Sequence, residues 1–399
     1  MGFDFDLCVV GGCGHVGLPL AITLADRGLK VAIYDINDRA VESVKAGRMP
    51  FLEAGAEPVL KRVAGKNLEV ANDPQFVTRS RHVVVVIGTP VDEHLNPTFH
   101  RMRRFFTDLV PHLVDGQCVI LRSTVFPGTT EKVRDLIAAG GKRVHVAFCP
   151  ERIAEGKAME ELTALPQIVS GCDETAVKMA SELFGTIANG LITLSPIEAE
   201  LTKIFANVWR YIQFATANQF FMIAADYGLD FYRLYEALTK DYPRMAGLPK
   251  AGFAAGPCLF KDTMQLSAAY NNNFALGHAA MLINEGLPNF VVRRMKGLFD
   301  PLDEKTVGIL GMAFKGESDD PRESLSYKLR KLLEHEAGDV LCTDEFIADP
   351  DFVPLPELVD RADVLVVAAP HKAYKRLELP EGKPVVDIWN LYGKGTMLT

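Results

Sequence analysis

"DLCVVGGCGHVGLPLAITLADRGLKVAIYDIN", residues 6–37, decides how the surrounding chain must fold. The apolar run "LCVV" stops at a glycine pair, and Gly12-x-Gly14-x-x-Gly17 opens directly into a helical stretch. Glycines at that spacing permit a tight turn and a close approach of backbone to a pyrophosphate, whose charge meets the free amides and positive end of the helix. Cys13, His15 and Val16 occupy the intervening positions and complete the candidate cofactor turn. Asp35 closes the next strand, where a carboxylate accepts from ribose hydroxyls and repels a 2'-phosphate. The pattern favours NAD over NADP, and Arg39 is the nearby cation that argues the other way.

Working outward, short runs such as "HVVVVIG", "CVILRST", "VHVAF", "QIVSG" and "LITLS" alternate with helical segments to about residue 195, the signature of a parallel sheet wrapped by helices. Residues 1–195 therefore read as the first domain. From 195 to 229 one long helix is expected, with Ser195 as N-cap, Pro196 in the first turn and Gly228 near the end. Its apolar residues lie on more than one face, which suits a buried spine shared between subunits. Helical material continues over 196–299, and "TVGILGMAF", "DVLCTDE", "ADVLVVAAP" and "PVVDIWN" restore the strand-helix alternation over 300–399.

Composition narrows the partner. A chain of 399 residues, 48% apolar, with net charge −8, can bury a large core but offers no basic field for nucleic acid or an anionic membrane. Seven scattered cysteines without CxxC spacing fit a reducing compartment, and the nine histidines show no metal-ligand spacing. No run approaches the ~20 apolar residues of a membrane span, and the N-terminus lacks a signal-like basic region. The expected home is the cytoplasm, with no metal.

Several residues could carry chemistry. Lys203 and Asn207, four apart, share a helix face and could grip an oxygen gaining charge; a solvated lysine and a backbone-bonded amide fit the spacing equally well. Glu151 and Glu155 follow the strand "VHVAF", where carboxylates could handle protons or simply decorate the surface. Ser123 and Thr124 stand at one strand end and Thr89 and Pro90 at another, positions where hydroxyls more often cap helices. In "AGFAAGPCLFKDT", 251–263, Cys258 sits in a small-residue loop beside Lys261 and Asp262. A thiol attacks only as thiolate, so those surroundings suit a nucleophile, whereas Cys8, Cys118 and Cys342 in apolar strands belong to the core.

Taken together, "GGCGHVGLPLA", "GTP" at 88–90, "STVFPGTT" at 123–130, "PERIAEG" at 150–156, "EAELTKIFAN" at 198–207, "CLFKD" at 258–262 and "GILGMAFKGESDDPRES" at 308–324 resemble the UDP-glucose/GDP-mannose dehydrogenase family over nearly the whole chain. The resemblance implies an α/β fold with two Rossmann-like doubly wound domains, joined by a long central helix and a helical dimerisation region. It implies oxidation of a sugar C6 alcohol to the carboxylate with two NAD consumed, through a thiohemiacetal and thioester on Cys258. By the same resemblance Lys203 and Asn207 stabilise the oxyanion, Asp262 with Thr124 orders water, and Glu151 serves as acid/base. Glu151, Arg152 and Glu155 would face substrate, with Glu155 also near the cofactor. Arg244 would reach the neighbouring subunit's substrate in a homodimer, Lys250, Gly252 and Phe253 the nucleotide, and Lys315 the substrate. Ser123, Thr124, Lys261 and Arg322 would join the NAD contacts. The favoured partner is a UDP-sugar.

Two features depart from the family pattern. "AAGPC" replaces the usual "GGxC" approach and is one residue longer, and Phe260 stands where a proline is usual. The sugar is therefore open among glucose, N-acetylglucosamine, N-acetylmannosamine and mannose. A two-electron β-hydroxyacid dehydrogenase would need neither Cys258 nor a third domain. An NAD-binding sensor would need no nucleophile.

Overall fold

The computed structural model describes residues 2–88, 99–254, 256–394 and 397–398. The chain divides into two compact units, Met1–Ala206 and Asn207–Thr399. Among the described residues, the first unit holds β1 (Phe5–Val10), β2 (Val31–Tyr34), β3 (Leu68–Ala71), β4 (Ser80–Val85), β5 (Cys118–Leu121), β6 (His145–Phe148), β7 (Gln167–Gly171) and β8 (Leu191–Thr193) in one sheet, ordered β3-β2-β1-β4-β5-β6-β7-β8. The first six strands of that order are parallel. Their 3-2-1-4-5-6 order is that of a dinucleotide-binding sheet, with its switch point between β1 and β4.

The middle of the sheet is covered on both faces, so β5 (CVIL) is buried along its whole length rather than alternating. Along β1, Leu7 and Val9 enter the core formed with Leu18, Leu20 and Ile22 of helix Gly17–Asp26. Cys8 and Val10 enter the opposite core with Phe106 and Val133. Each such buried aliphatic side chain contributes roughly 1.5–3 kcal/mol, which is why short β-branched runs suffice to set the layer order.

The sheet departs from the all-parallel expectation at β7, which pairs antiparallel with β6 through Ala147↔Gly171 and Phe148↔Ser170. The connection between them carries only the short helix Ala158–Ala164 and returns at the same end of the sheet. Residues 149–166 are thereby kept at the carboxyl edge, where ligands bind in such sheets.

The long helix is Pro196–Asp226. Glu198 accepts from Ser195 N (2.8 Å) and Ser195 Oγ (2.6 Å), an arrangement that fixes the start. Gly228, at φ 67°, ends it: Leu229 N donates to Ala224 O and Gly228 N to Ala225 O, a Schellman closure. In the second unit a further parallel sheet orders β9 (Thr306–Leu310), β10 (Asp339–Thr343), β11 (Val364–Val367) and β12 (Val385–Asp387) as β10-β9-β11-β12. No helix among the described residues is long and apolar enough to cross a membrane.

Candidate active site

The glycine turn follows β1 at the carboxyl edge. A Cβ on Gly17 would stand 2.6 Å from Gly12 Cα, so that glycine lets helix and turn pack. Gly14 meets no such obstacle within 4 Å, so internal packing does not require it, whereas the approach of a pyrophosphate does. Asp35 leaves β2 to accept from Cys13 N and Asn37 N, each at 2.9 Å, and its side chain remains half-buried. Lone pairs remain for a ribose hydroxyl, so the turn fits an NAD adenosine half. Arg39 is exposed on helix Asp38–Lys45. Cys13 is buried, and burial with the Asp35 carboxylate beside it pushes its thiol up to about 12. His15 stacks on Phe51 at 4.0 Å and brings Nε2 to 3.9 Å from Glu155 Oε1.

Two further carboxyl-edge segments meet within this unit. Arg122, first residue after β5, is fully buried, donates to Cys149 O and Gln167 Oε1 at 3.1 Å, and pairs with Glu151. Its guanidinium lies 4.8 Å from the Phe184 ring centroid. Glu151 Oε1 accepts from Arg152 N (2.7 Å) and Ile153 N (3.0 Å), and the Arg152 guanidinium donates to Pro166 O. Glu53 accepts from Gly156 N (3.0 Å) and Ala158 N (2.8 Å), so it anchors the far side of the same loop. Ser123 and Thr124 follow Arg122 and are half-buried. Thr89 and Pro90 lie outside the described residues. Phe51, Glu53 and Arg122 escaped the sequence reading, because only the fold shows that a turn acid and a strand-end cation are desolvated.

In the second unit, Cys258 is the N-cap of helix Leu259–Ala269 and is exposed. Thiolate character is favoured at a helix N-terminus. The other cysteines differ: Cys8, Cys13, Cys118, Cys149 and Cys342 are buried and Cys172 partly so. Burial pushes Cys149 and Cys342 up to about 12 and Cys172 to about 11. One turn into the helix, the fully buried Asp262 accepts from Asn207 Nδ2 at 2.5 Å, and Lys261 Nζ stands 3.2 Å from its other oxygen. Lys203 is half-buried on the long helix, one turn before Asn207. Ahead of Cys258 the chain is anchored at Gly252. Gly252, at φ 153°, donates to Asn218 Oδ1 (2.9 Å) and carries the Trp389 ring where a Cβ would be. Asn218 Nδ2 in turn donates to Asn284 Oδ1 at 2.9 Å. Phe253 is buried, and Lys250 lies 5.9 Å from the Tyr232 ring centroid. Arg244 is exposed and donates to Tyr242 Oη at 3.3 Å.

The second sheet repeats the plan of the first: strand, glycine turn, helix, strand, aspartate. Here the aspartate turns inward. Asp344, just after β10, accepts from Met312 N, Ala313 N, Phe346 N and Ile347 N at 2.6–3.0 Å and stands 3.2 Å from His371 Nε2. His371 Nδ1 accepts from Glu317 N at 3.0 Å, which leaves the proton on Nε2 for Asp344. Burial raises the Asp344 carboxyl, but His371 and the amides outweigh it and hold the group below its usual range. Residues 311–317, which contain Lys315, are thus held from beneath. Lys315 lies 5.4 Å from the Phe314 ring centroid, and Arg322 pairs with Asp320 through Nε at 2.9 Å.

Comparison with known proteins places this geometry. Residues 6–188 match the UDP-glucose/GDP-mannose dehydrogenase family, NAD binding domain; residues 197–286 match its central domain and 308–394 its UDP binding domain. The UDP-N-acetyl-D-mannosamine dehydrogenase of Methanocaldococcus jannaschii is 30% identical over 391 residues, covering 96% of this chain and 90% of that protein. The structure of a UDP-glucose dehydrogenase from Pyrobaculum islandicum superposes with TM-score 0.88 at 28% identity, over 97% of this chain and 94% of that one. That of the UDP-D-ManNAc dehydrogenase from Pyrococcus horikoshii gives 0.87 at 28% identity, over 98% and 93%.

Proposed function

This chain belongs to the UDP-glucose/GDP-mannose dehydrogenase family and is an NAD-dependent nucleotide-sugar dehydrogenase; on that premise we propose that it oxidises the C6 alcohol of a UDP-N-acetylhexosamine to the carboxylate in two steps on Cys258. UDP-N-acetylmannosamine is the first candidate, a reading supported by the names of its relatives. The sum is RCH2OH + 2 NAD+ + H2O → RCOO− + 2 NADH + 3 H+. Nicotinamide accepts one hydride at each oxidation.

An aldehyde has no hydroxyl-bearing carbon from which a second hydride readily leaves, so Cys258 Sγ adds to its carbonyl to give a thiohemiacetal. Loss of hydride then gives a thioester, and water hydrolyses it with departure of the thiolate. Lys203 and Asn207 donate to the oxygen that gains charge, Asp262 with Thr124 orders water, and Glu151 receives its proton. The single observation that carries the reading is the contrast between exposed Cys258 at a helix N-terminus and its buried counterparts.

Within this reading residues 1–195 bind NAD, 196–299 form the helical middle and 300–399 take the nucleotide sugar. Gly12, Cys13, Gly14, His15, Val16, Gly17, Asp35, Ser123, Thr124, Glu155, Lys261 and Arg322 serve the cofactor. Arg152, Glu155, Lys250, Gly252, Phe253 and Lys315 serve the sugar nucleotide. Exposed Trp209, Phe220 and Ile223 on the long helix, with Tyr227 just past its end, suit a second copy of the chain, and Arg244 would complete that copy's site. The protein would act in the cytoplasm.

The test is a panel of UDP- and GDP-sugars with NADH read by absorbance. Two NADH per UDP-N-acetylhexosamine is expected; one NADH per sugar, or preference for a GDP-sugar, overturns the reading.

A further inference from the structure

Arg122 is the largest fully buried side chain among the described residues, and burying a guanidinium is costly unless its surroundings repay it. Its Nε has no hydrogen-bond partner among the described residues, so the site is not built to satisfy the cation alone. What the other nitrogens do is specific. Nη1 holds Cys149 O and Gln167 Oε1, and Nη2 holds Glu151 Oε2. The amides of Arg152 and Ile153 hold the other oxygen, Glu151 Oε1. The carboxylate is therefore fixed at both oxygens, while 11% of the Glu151 side chain stays open. Main-chain bonds run alongside: Glu151 N donates to Arg122 O (3.3 Å) and Cys149 N to Leu121 O (2.9 Å). Arg122 thus ties the end of β5, which leads into Ser123 and Thr124, to the end of β6, which leads into Glu151.

We propose that Arg122 is a positioning residue for the hydrolytic half-reaction, fixing the Glu151 carboxylate so that its open edge takes the proton of the water that attacks the Cys258 thioester. The inference rests on the Cys258 reading above. In this step the water oxygen bonds to the thioester carbon, one water proton passes to Glu151, and the carbon–sulfur bond breaks to return the thiolate. No electrons are exchanged, so no further reactant is required. The reading above gives Glu151 a role in hydrolysis and none in the two oxidations, and this separation gives the test its signature.

The experiment follows Arg122→Met and Arg122→Lys with UDP-N-acetylhexosamine and NAD, recording the first-turnover NADH burst, steady-state kcat and KM, and the intact mass. Arg122→Met should retain the burst, lose steady-state kcat by about 10- to 100-fold with KM little changed, and accumulate an acyl adduct on Cys258. Arg122→Lys, keeping a cation, should recover part of kcat. Wild-type kcat without adduct in folded Arg122→Met, or equal loss of burst and steady-state rate, overturns the proposal. Should Arg122→Met fail to fold, Gln167→Ala removes one anchor of the same guanidinium; adduct accumulation there supports the role and its absence overturns it. A Cys258→Ser protein that still made carboxylate would instead sink the parent reading.

Discussion

Asn207 donates its side-chain amide to the buried carboxylate of Asp262 at 2.5 Å, joining the long helix to the helix that Cys258 caps. Asn207→Ala leaves a buried carboxylate short of a donor and should cost about 1–3 kcal/mol of stability. Asn207→Asp sets a second carboxylate against the first and should cost more, with activity lost as well. Thermal unfolding and NADH production of both variants check the order.

Replacing the candidate nucleophile separates binding from chemistry. Cys258→Ser should abolish carboxylate formation yet leave NAD affinity within a few-fold of wild type, because its place is outside the glycine turn. Product analysis by mass and NAD titration by fluorescence provide the two readings. Unchanged carboxylate output would remove the sulfur from the pathway.

Thiol reactivity should be equally selective. At pH 8 a thiol pushed up to about 12, as in Cys13, Cys149 and Cys342, is ionised to about one part in 10⁴. Iodoacetamide at that pH should therefore alkylate Cys258 well before any buried cysteine, as peptide mapping would show. Raising the pH toward 10 leaves those three largely protonated, so the selectivity persists until the protein unfolds.

The Asp344–His371 lock carries a pH signature. Asp344 titrates below its ordinary range in the fold, so its stabilisation is fully present above the unfolded value of ~3.9 and is lost as pH falls through the lower folded value. Asp344→Asn should destabilise by about 1–3 kcal/mol at pH 7, and the gap in Tm from wild type should narrow steadily below pH ~4. A gap that widened on acidification would refute the assignment.

Gly252→Ala tests the loop before the thiol. At φ 153°, with the Trp389 ring in the path of a Cβ, the change should cost on the order of 1–3 kcal/mol and raise KM for the sugar nucleotide more than KM for NAD. Parallel KM measurements distinguish the two.

The sequence was most informative where local chemistry governs. β-branched runs marked strands on both sheets, Ser195 and Gly228 bracketed the long helix, and Cys258 stood apart by its small-residue loop. β3 was missed because "LEVA" is four residues long and carries a glutamate outward. The reversal at β7 was missed because strand direction depends on the path of 149–166, not on the composition of "QIVSG". Arg122 and Glu53 resemble ordinary charged residues until burial shows whom they hold. Glu200 belongs with them: buried on the long helix, it accepts from Gly128 N (2.6 Å), Thr130 N (2.8 Å) and Thr130 Oγ1 (2.5 Å). Burial raises its carboxyl, opposed by those same donors.

The two aspartates that follow the second strand of each sheet have met opposite fates. Asp35 still presents an edge to whatever lies beyond its turn, whereas Asp344 is saturated by four amides and an imidazole. A designer hoping to install a second coenzyme in the C-terminal half would find its sugar-reading acid already committed, and would first have to dismantle the keystone that gives residues 311–317 their shape.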